Sequence, residues 1–442
     1  MLTRDQAQKL AEKILSYSKL PECSVAIEES ESAHIRFANN GVTTSGLMIE
    51  RDIQISSTRE GRTGTTRISD VDDAALKAAV ALTEELAAVS PVNEEYVEPL
   101  GPQKYPTLPA WEQQTAAARG PVLVAQVKPV IERAAKDKLV AAGLIERTAS
   151  ASAIANKAGN FGYARAADAR LSTTIRRPDG SSSGWAGQPA ARIAEISGAE
   201  IADRAARKCV AWSKPVRLDP GKYDVVLEPT AVSDLLGVFG FGGLSARFAD
   251  EGRSVFSKTG GGTLLGEKVF PEIITLRSDP FDKHYAALPW SFSGVPNRPI
   301  TWIEKGVVKN LLYDRYWARR SEREPTPGYA YSILEGTRTP VDELIRATER
   351  GLLVTRFWYI RMVNPRTLQF TGLTRDGLFL IEGGKVTQPV VNFRFNESPF
   401  RLLQNTQQLG QAVRCRGGEG SGIVAPSLRA KDFTFSSISD AV

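Results

Sequence analysis

Histidine is nearly absent from this chain: His34 and His284 are the two in 442 residues. A catalytic zinc usually takes three protein ligands and a water, commonly with two histidines one helical turn apart so that both imidazoles face the metal. Two histidines this far apart cannot form such a pair, and no His-Glu-x-x-His or related motif occurs. Cysteine is scarce too. Cys23, Cys209 and Cys415 are odd in number, widely spaced and without a Cys-x-x-Cys pair, which fits a reducing compartment. Long apolar runs are also missing. The longest, Ala231 to Leu244, is broken by Ser233, Asp234 and glycines, too short to span a bilayer. The opening Met-Leu-Thr-Arg-Asp-Gln lacks the apolar segment of a secretory signal. These absences lead us to expect a soluble, cytoplasmic protein with no membrane contact. Lys and Arg never run beyond pairs such as Arg176-Arg177 and Arg319-Arg320, so a net charge of +6 and a pI near 9.1 describe a solvated, mixed-charge surface more readily than a nucleic-acid footprint.

What is present is globular. Hydrophobic residues make up 42% and charged residues 24%, and at ~150 residues per domain the length suggests about three domains. Residues 3–18 read as an amphipathic helix with Thr3 and Gln6 as a capping box. Alternation at Val25 and Ile27, then Ala33, Ile35 and Phe37, and a β-rich run from Val42 to Ile68 predict an antiparallel sheet. A second helix opens at Ser69 with Asp72 three residues on and carries Leu76, Ala79, Val80, Thr83, Leu86 and Ala87 on one face. Five prolines between Pro91 and Pro109 place a linker at about 91–110. The middle segment, 111–215, begins with a helical stretch kinked or interrupted at Pro129. It continues as a meander with turns at Gly159-Asn160 and Pro178-Asp179-Gly180, and closes with a helix at about 199–212. From residue 216 to 442 we expect a strand from Tyr223 to Leu227, a helix from Thr230 to about Phe241, and then mostly strands. Ile303–Val308 and Ile381–Val386 share I-E-x-G-x-V, the form of a strand turning through a glycine hairpin, so both hairpins should belong to one large sheet. A helix from Val341 to Arg350 is inserted between them. The fold class expected is α+β: an N-terminal helix–antiparallel sheet–helix unit at 1–110, a middle α/β meander unit, and a large antiparallel or barrel-like C-terminal sheet with inserted helices.

Few residues point to chemistry. His34 alternates with apolar neighbours in a strand and reads as structural or exposed, whereas His284 sits among acids in a loop and is kept as a functional candidate. Gly180-Ser181-Ser182-Ser183-Gly184 matches the nucleophile-elbow pattern but follows Pro-Asp-Gly and reads as a hairpin tip. Gly261 to Lys268 is a near miss to a phosphate loop, lacking the adjacent Lys and hydroxyl. Cys415 is the second candidate: Arg414 and Arg416 flank it, which would lower a thiol pKa, and the glycines that follow would let backbone approach a ligand.

Taken in order, several stretches resemble the TldD/PmbA (TldE) family, once described as modulators of DNA gyrase and now regarded as two-subunit zinc peptidases. They are Pro220 to Leu227 leading into Leu235-Leu236, Trp302 to Arg319, Glu343-Leu344-Ile345 through Gly351 to Val354, Gly372 to Val391 with its IEGGKVTQPV core, and Ala425-Pro426-Ser427-Leu428. In TldD-type chains of that family the helix after the P-G-x-Y-x-V-V-L strand carries H-E-x-x-x-H, and a later C-G-K-x-G-Q segment supplies a cysteine ligand. Here that helix reads Pro229 to Leu236 without histidine, Cys415 in C-R-G-G-E-G resembles a remnant of the cysteine segment, and the usual acidic stretch is altered to Ser291-Phe292-Ser293-Gly294-Val295. The resemblance thus implies a TldE/PmbA-type subunit with no catalytic, cofactor or metal residues of its own, a TldD-like zinc-bearing partner, and a peptide substrate. Two alternatives remain open: a divergent peptidase drawing on Cys415, His284 and carboxylates, and a nucleic-acid or gyrase-associated binding protein.

Overall fold

The computed structural model describes residues 1–240, 242–417 and 422–439. The chain opens with α1 (Arg4–Tyr17), β1 (Glu22–Ala38), β2 (Gly41–Arg59), β3 (Arg62–Ile68) and α2 (Asp73–Val89). After a short α3 (Gln113–Ala117) the same order returns in α4 (Gly120–Lys136), β4 (Val140–Asn156), β5 (Phe161–Arg176), β6 (Ser183–Ala190) and α5 (Gly198–Ala211). β1 and β4 pair antiparallel with Ser30 opposite Ser150, which fuses both units into one sheet of order β3-β2-β1-β4-β5-β6. The segments expected on either side of residue 110 therefore share this sheet. Strand alternation decides what lies on each face. Val25, Ile27, Ile53 and Ile55 turn to α1 and α2, and Ile35, Phe37, Ile145, Leu171 and Ile175 turn to α4 and α5, so these helices all pack on one face of the sheet.

Local signals explain most helix ends. Thr3 and Gln6 form the expected reciprocal capping box on α1. In α2 the cap is Asp72 itself, whose carboxylate accepts from the Ala75 amide, so the cap lies three residues after the expected opening at Ser69. α4 runs on through Pro129 because Leu123, Val127, Val130 and Ala134 are all buried, and that apolar face outweighs the one lost hydrogen bond. The proline-rich stretch after α2 is strapped to the C-terminal half of the chain: Tyr105 donates to the Gly294 carbonyl (2.8 Å), and Glu95 accepts from Nη1 and Nη2 of Arg247 (2.7 Å each).

The remainder is a second module: β7 (Gly221–Leu227), α6 (Pro229–Leu236), α7 (Ala246–Asp250), β8 (Leu276–Ser278), β9 (Ile300–Glu304), β10 (Val307–Val308), α8 (Arg315–Arg320), β11 (Ser332–Leu334) and α9 (Val341–Arg346) lead to β12 (Arg350–Val354). β13 (Phe357–Asn364), β14 (Gln369–Thr374), β15 (Leu378–Glu382), β16 (Lys385–Pro389), β17 (Phe393–Glu397), α10 (Pro399–Gln404), β18 (Thr406–Cys415) and β19 (Ile423–Ile438) complete it. The strands form a large mixed sheet whose main path is β10-β9-β8-β11-β19-β7-β12-β15-β16, with β13, β14, β17 and β18 joined through β19. The two I-E-x-G-x-V hairpins are its two ends, β9–β10 and β15–β16. Two helices differ from expectation. α9 stops at Arg346 because Arg350 to Val354 is drawn into the sheet between β7 and β15. α6 stops at Leu236, with Gly237 as its C-cap, and Phe241, where it was expected to end, lies outside the described residues. Among the described residues no helix is long and apolar enough to cross a membrane.

Glycine seats one helix at each edge of the first sheet. A Cβ at Gly64 of β3 would fall 2.0 Å from the Thr83 carbonyl oxygen of α2, and one at Gly184 of β6 would fall 2.2 Å from the Ala205 carbonyl oxygen of α5. Backbone cannot yield as a flexible side chain can. Gly184→Val is expected to cost about 1–3 kcal/mol through overpacking, seen as a lower thermal midpoint, whereas Gly101→Ala, with nothing within 4 Å of the added methyl, should leave it unchanged. Equal midpoints for Gly184→Val and the parent would refute this close seat.

Candidate functional site

The faces of β5 and β6 turned away from α5 look toward the second module, and Cys415 and His284 meet along that boundary. α6 follows β7 directly, and Ala231 to Leu236 are all buried. Its Ser233 hydroxyl donates to the Cys415 carbonyl (3.1 Å) and accepts from the Ile423 amide (3.3 Å), so one side chain stitches the helix to both strands of the β18–β19 hairpin. The Cys415 thiol donates to the Pro229 carbonyl (3.0 Å). The segment following β7 and the segment around Cys415 are therefore in direct contact, although more than 180 residues separate Ser233 from Cys415.

The expectation of an activated thiol is overturned. Burial pushes the Cys415 thiol up to about 12, far above its ordinary 9.0, and the neighbouring Arg414 is too weak an influence to reverse it. Strand alternation explains why: side chains at 414 and 416 leave the strand on the face opposite to 415. Arg414 instead lies over the Tyr285 ring (4.8 Å) and donates to the His284 carbonyl. The glycine-rich stretch after Cys415 falls at 418–421, outside the described residues, but Gly417 is legible. A Cβ there would sit 1.9 Å from Oδ1 of the fully buried Asp234, so no side chain fits against that carboxylate.

His284 is half-buried. Its Nδ1 lies 2.7 Å from Asp282 Oδ1, the same oxygen that accepts its own amide (3.0 Å), so the ring is tied into a local turn. His284 and Cys415 nevertheless line one cavity of about 460 Å³, together with Glu200, Arg204 and Glu228. His34 lies apart from it on β1, its ring packed over Gly46 of β2. The donor set does not fit a catalytic zinc: there is one imidazole, already engaged by Asp282, and a thiol held protonated by burial. Among the described residues no group of three His, Cys, Asp or Glu side chains is placed to hold a metal. The serine stretch at 181–183 is the β5–β6 hairpin and the start of β6, with Ser182 donating to the Cys209 carbonyl and Ser183 to Asp376 (2.7 Å).

A second cavity, of about 410 Å³, shares Gly187, Gln188 and Pro189 of β6 with the first and is rich in arginine and tryptophan. Sequence reading missed it. Its one local trace is the polar alternation Arg170, Ser172, Thr174, Arg176 along β5.

Two profiles of one family match the chain: the PmbA/TldA metallopeptidase C-terminal domain over residues 220–437 and the PmbA/TldA metallopeptidase domain 1 over residues 23–87. The crystal structure of TldE from Thermococcus kodakarensis superposes with a TM-score of 0.85 at 19% identity, covering 97% of this chain and 99% of that one. Among curated proteins, a metalloprotease TldD homolog of Buchnera aphidicola is 23% identical over 216 residues, 43% of each chain. A metalloprotease of Methanothermobacter thermautotrophicus is 24% identical over 232 residues, 49% of this chain and 48% of that protein. The matched stretch thus spans less than half the length of these two relatives.

All three cysteines are buried. A thiol reagent at pH 8 is therefore expected to label none rapidly in the folded protein and all three after denaturation. Because the folded Cys415 thiol ionises far above 9.0, its contribution to stability is complete below about pH 9 and is lost as pH rises toward 12. Rapid labelling of Cys415 in the native state would contradict both statements.

Proposed function

The chain belongs to the PmbA/TldD metallopeptidase family, and on that premise we propose that it is a TldE-like subunit, non-catalytic by itself, which pairs with a zinc-bearing TldD-like chain. Together the two would wall a chamber in which small or unfolded peptides are degraded or trimmed, in the cytoplasm. The observation that carries this reading is the junction of α6 with Cys415. Where the family resemblance would put imidazoles and a metal-bound thiolate, this chain has a serine hydroxyl bridging two backbone groups and a buried, protonated thiol. The likeness of fold to TldE along nearly the whole chain supports the same assignment.

In this reading zinc and its activated water belong to the partner, and this chain's residues shape and line the space where the substrate lies. The cavities between β6 and the second module are open to that role. Exposed strand edges can hold an extended peptide by backbone hydrogen bonds, which require no particular side chain.

Co-expression with a TldD-like chain, followed by co-purification and metal analysis, tests the proposal. The expected result is a complex with zinc on the partner, peptide cleavage by the complex alone, and no stoichiometric zinc on this chain when purified by itself. One zinc per isolated chain, lost on Cys415→Ser, would establish the independent peptidase instead. His284→Ala is expected to change cleavage by the reconstituted complex by less than about twofold, because its ring is held by Asp282 in a local turn.

A further inference from the structure

We propose that the cavity between β5–β6 and the β13–β14 end of the second module is a binding site for a peptide end, gripped through its C-terminal carboxylate. The kind of molecule rests on the peptide-handling function above; the carboxylate is argued from the cavity itself.

Alternation in β5 sends Ala169, Leu171 and Ile175 under the helices and leaves Arg170, Ser172, Thr174 and Arg176 facing the cavity. Arg356, Arg375 and Arg416 approach from the second module, which makes five guanidinium groups around about 410 Å³. Among the described residues one carboxylate, Asp376, is in the lining, and it is committed: Arg356 Nη1 lies 3.3 Å away and the Ser183 hydroxyl donates at 2.7 Å. Arg170 is held by Glu146 at 2.7 Å. Among the described residues, Arg176 and Arg416 have no ion-pair partner, and both are exposed. Like charges gathered in one cleft repel and focus a positive potential into it, an arrangement that a bound anion relieves.

The cations are all arginine. Among the described residues no lysine lines the cavity, and a planar fork of donors suits the two oxygens of a carboxylate. The indoles fix that geometry: Arg356 lies between Trp185 (4.6 Å) and Trp358 (5.1 Å), and Arg375 also lies over Trp358 (5.5 Å). Trp185 can lie flat there because Gly187 has no side chain, a Cβ at 187 falling 2.7 Å from the indole. Indole walls offer apolar surface to the residue that carries the carboxylate. Among the described residues no helix N-terminus of the kind that cradles phosphate contributes to the lining. The volume suits a peptide end of one or two residues.

The test uses the full chain and an N-acetylated tripeptide ending in leucine, prepared as the free acid and as the C-terminal amide. Binding is followed by tryptophan fluorescence and calorimetry. The free acid is expected to bind saturably, about tenfold tighter than the amide, and to weaken as salt rises. Arg176→Gln and Arg416→Gln, both at exposed positions, should each reduce the preference for the acid without lowering the thermal midpoint. His284→Ala, in the adjacent cavity, should leave it unchanged. Equal binding of acid and amide, no binding of either, or a preference that survives the double variant overturns the assignment. Inorganic phosphate binding more tightly than the free acid overturns it as well, in favour of a phosphate site. Co-purification with the zinc-bearing partner is scored on the same proteins. Lost discrimination with intact pairing sinks the cleft alone, and discrimination without pairing sinks the subunit reading alone.

Discussion

Burying a guanidinium costs several kcal/mol unless its charge is met, and the structure meets that charge at a place that joins its two halves. Arg356, at the entry to β13, has a side chain 6% exposed and pairs with Asp376, 4% exposed. The second oxygen of Asp376 accepts from Ser183 at the start of β6, and the indole of Trp185, two residues on, covers the guanidinium. A salt bridge within one module is thereby completed by a hydroxyl and a ring from the other. Moving the six-stranded sheet against the large sheet would strip both from a buried ion pair, so the relative position of β6 and β13 is held strongly. Both cavities lie along β6 and inherit that position.

The junction of α6 with β18 and β19 is held by hydrogen bonds and apolar packing. A metal would tie the helix to the cysteine segment through coordination. Ser233 ties the same segments through two hydrogen bonds to backbone, and Cys415 adds a third. Each contributes about 0.5–1.5 kcal/mol net, and the apolar packing of Ala231, Val232, Leu235 and Leu236 supplies the larger share. Hydrogen bonds and packing keep these elements together, as the proposed subunit role requires.

The two cavities divide the chemistry between them. One contains the residues that stood out in sequence and has them locked: His284 by Asp282, and Cys415 by burial. The other contains residues unremarkable in sequence, ordinary arginines and tryptophans, whose convergence produces a strongly one-signed pocket along the boundary. Rare residue types are thus engaged by their immediate surroundings, while common ones converge on the proposed site.

Local sequence determined what depends on near neighbours. Thr3 with Gln6 capped α1, period-two alternation sorted the faces of β1, β4 and β5, and the two I-E-x-G-x-V turns formed hairpins, since capping, pleat and turn chemistry act over two to four residues. Ordered short matches also pointed to the family. Tertiary structure decided the rest. α9 ended at Arg346 because the residues after it were drawn into a sheet between β7, more than a hundred residues earlier in the chain, and β15. Cys415 lost the reactivity its arginine neighbours suggested because desolvation depends on what packs around the thiol, and the pleat turned those arginines away. The arginine cavity had no signal beyond one alternating strand: its walls come from β5, β6, the entry to β13, the turn after β14 and the end of β18, and only folding brings charges so distant along the chain within reach of one ligand.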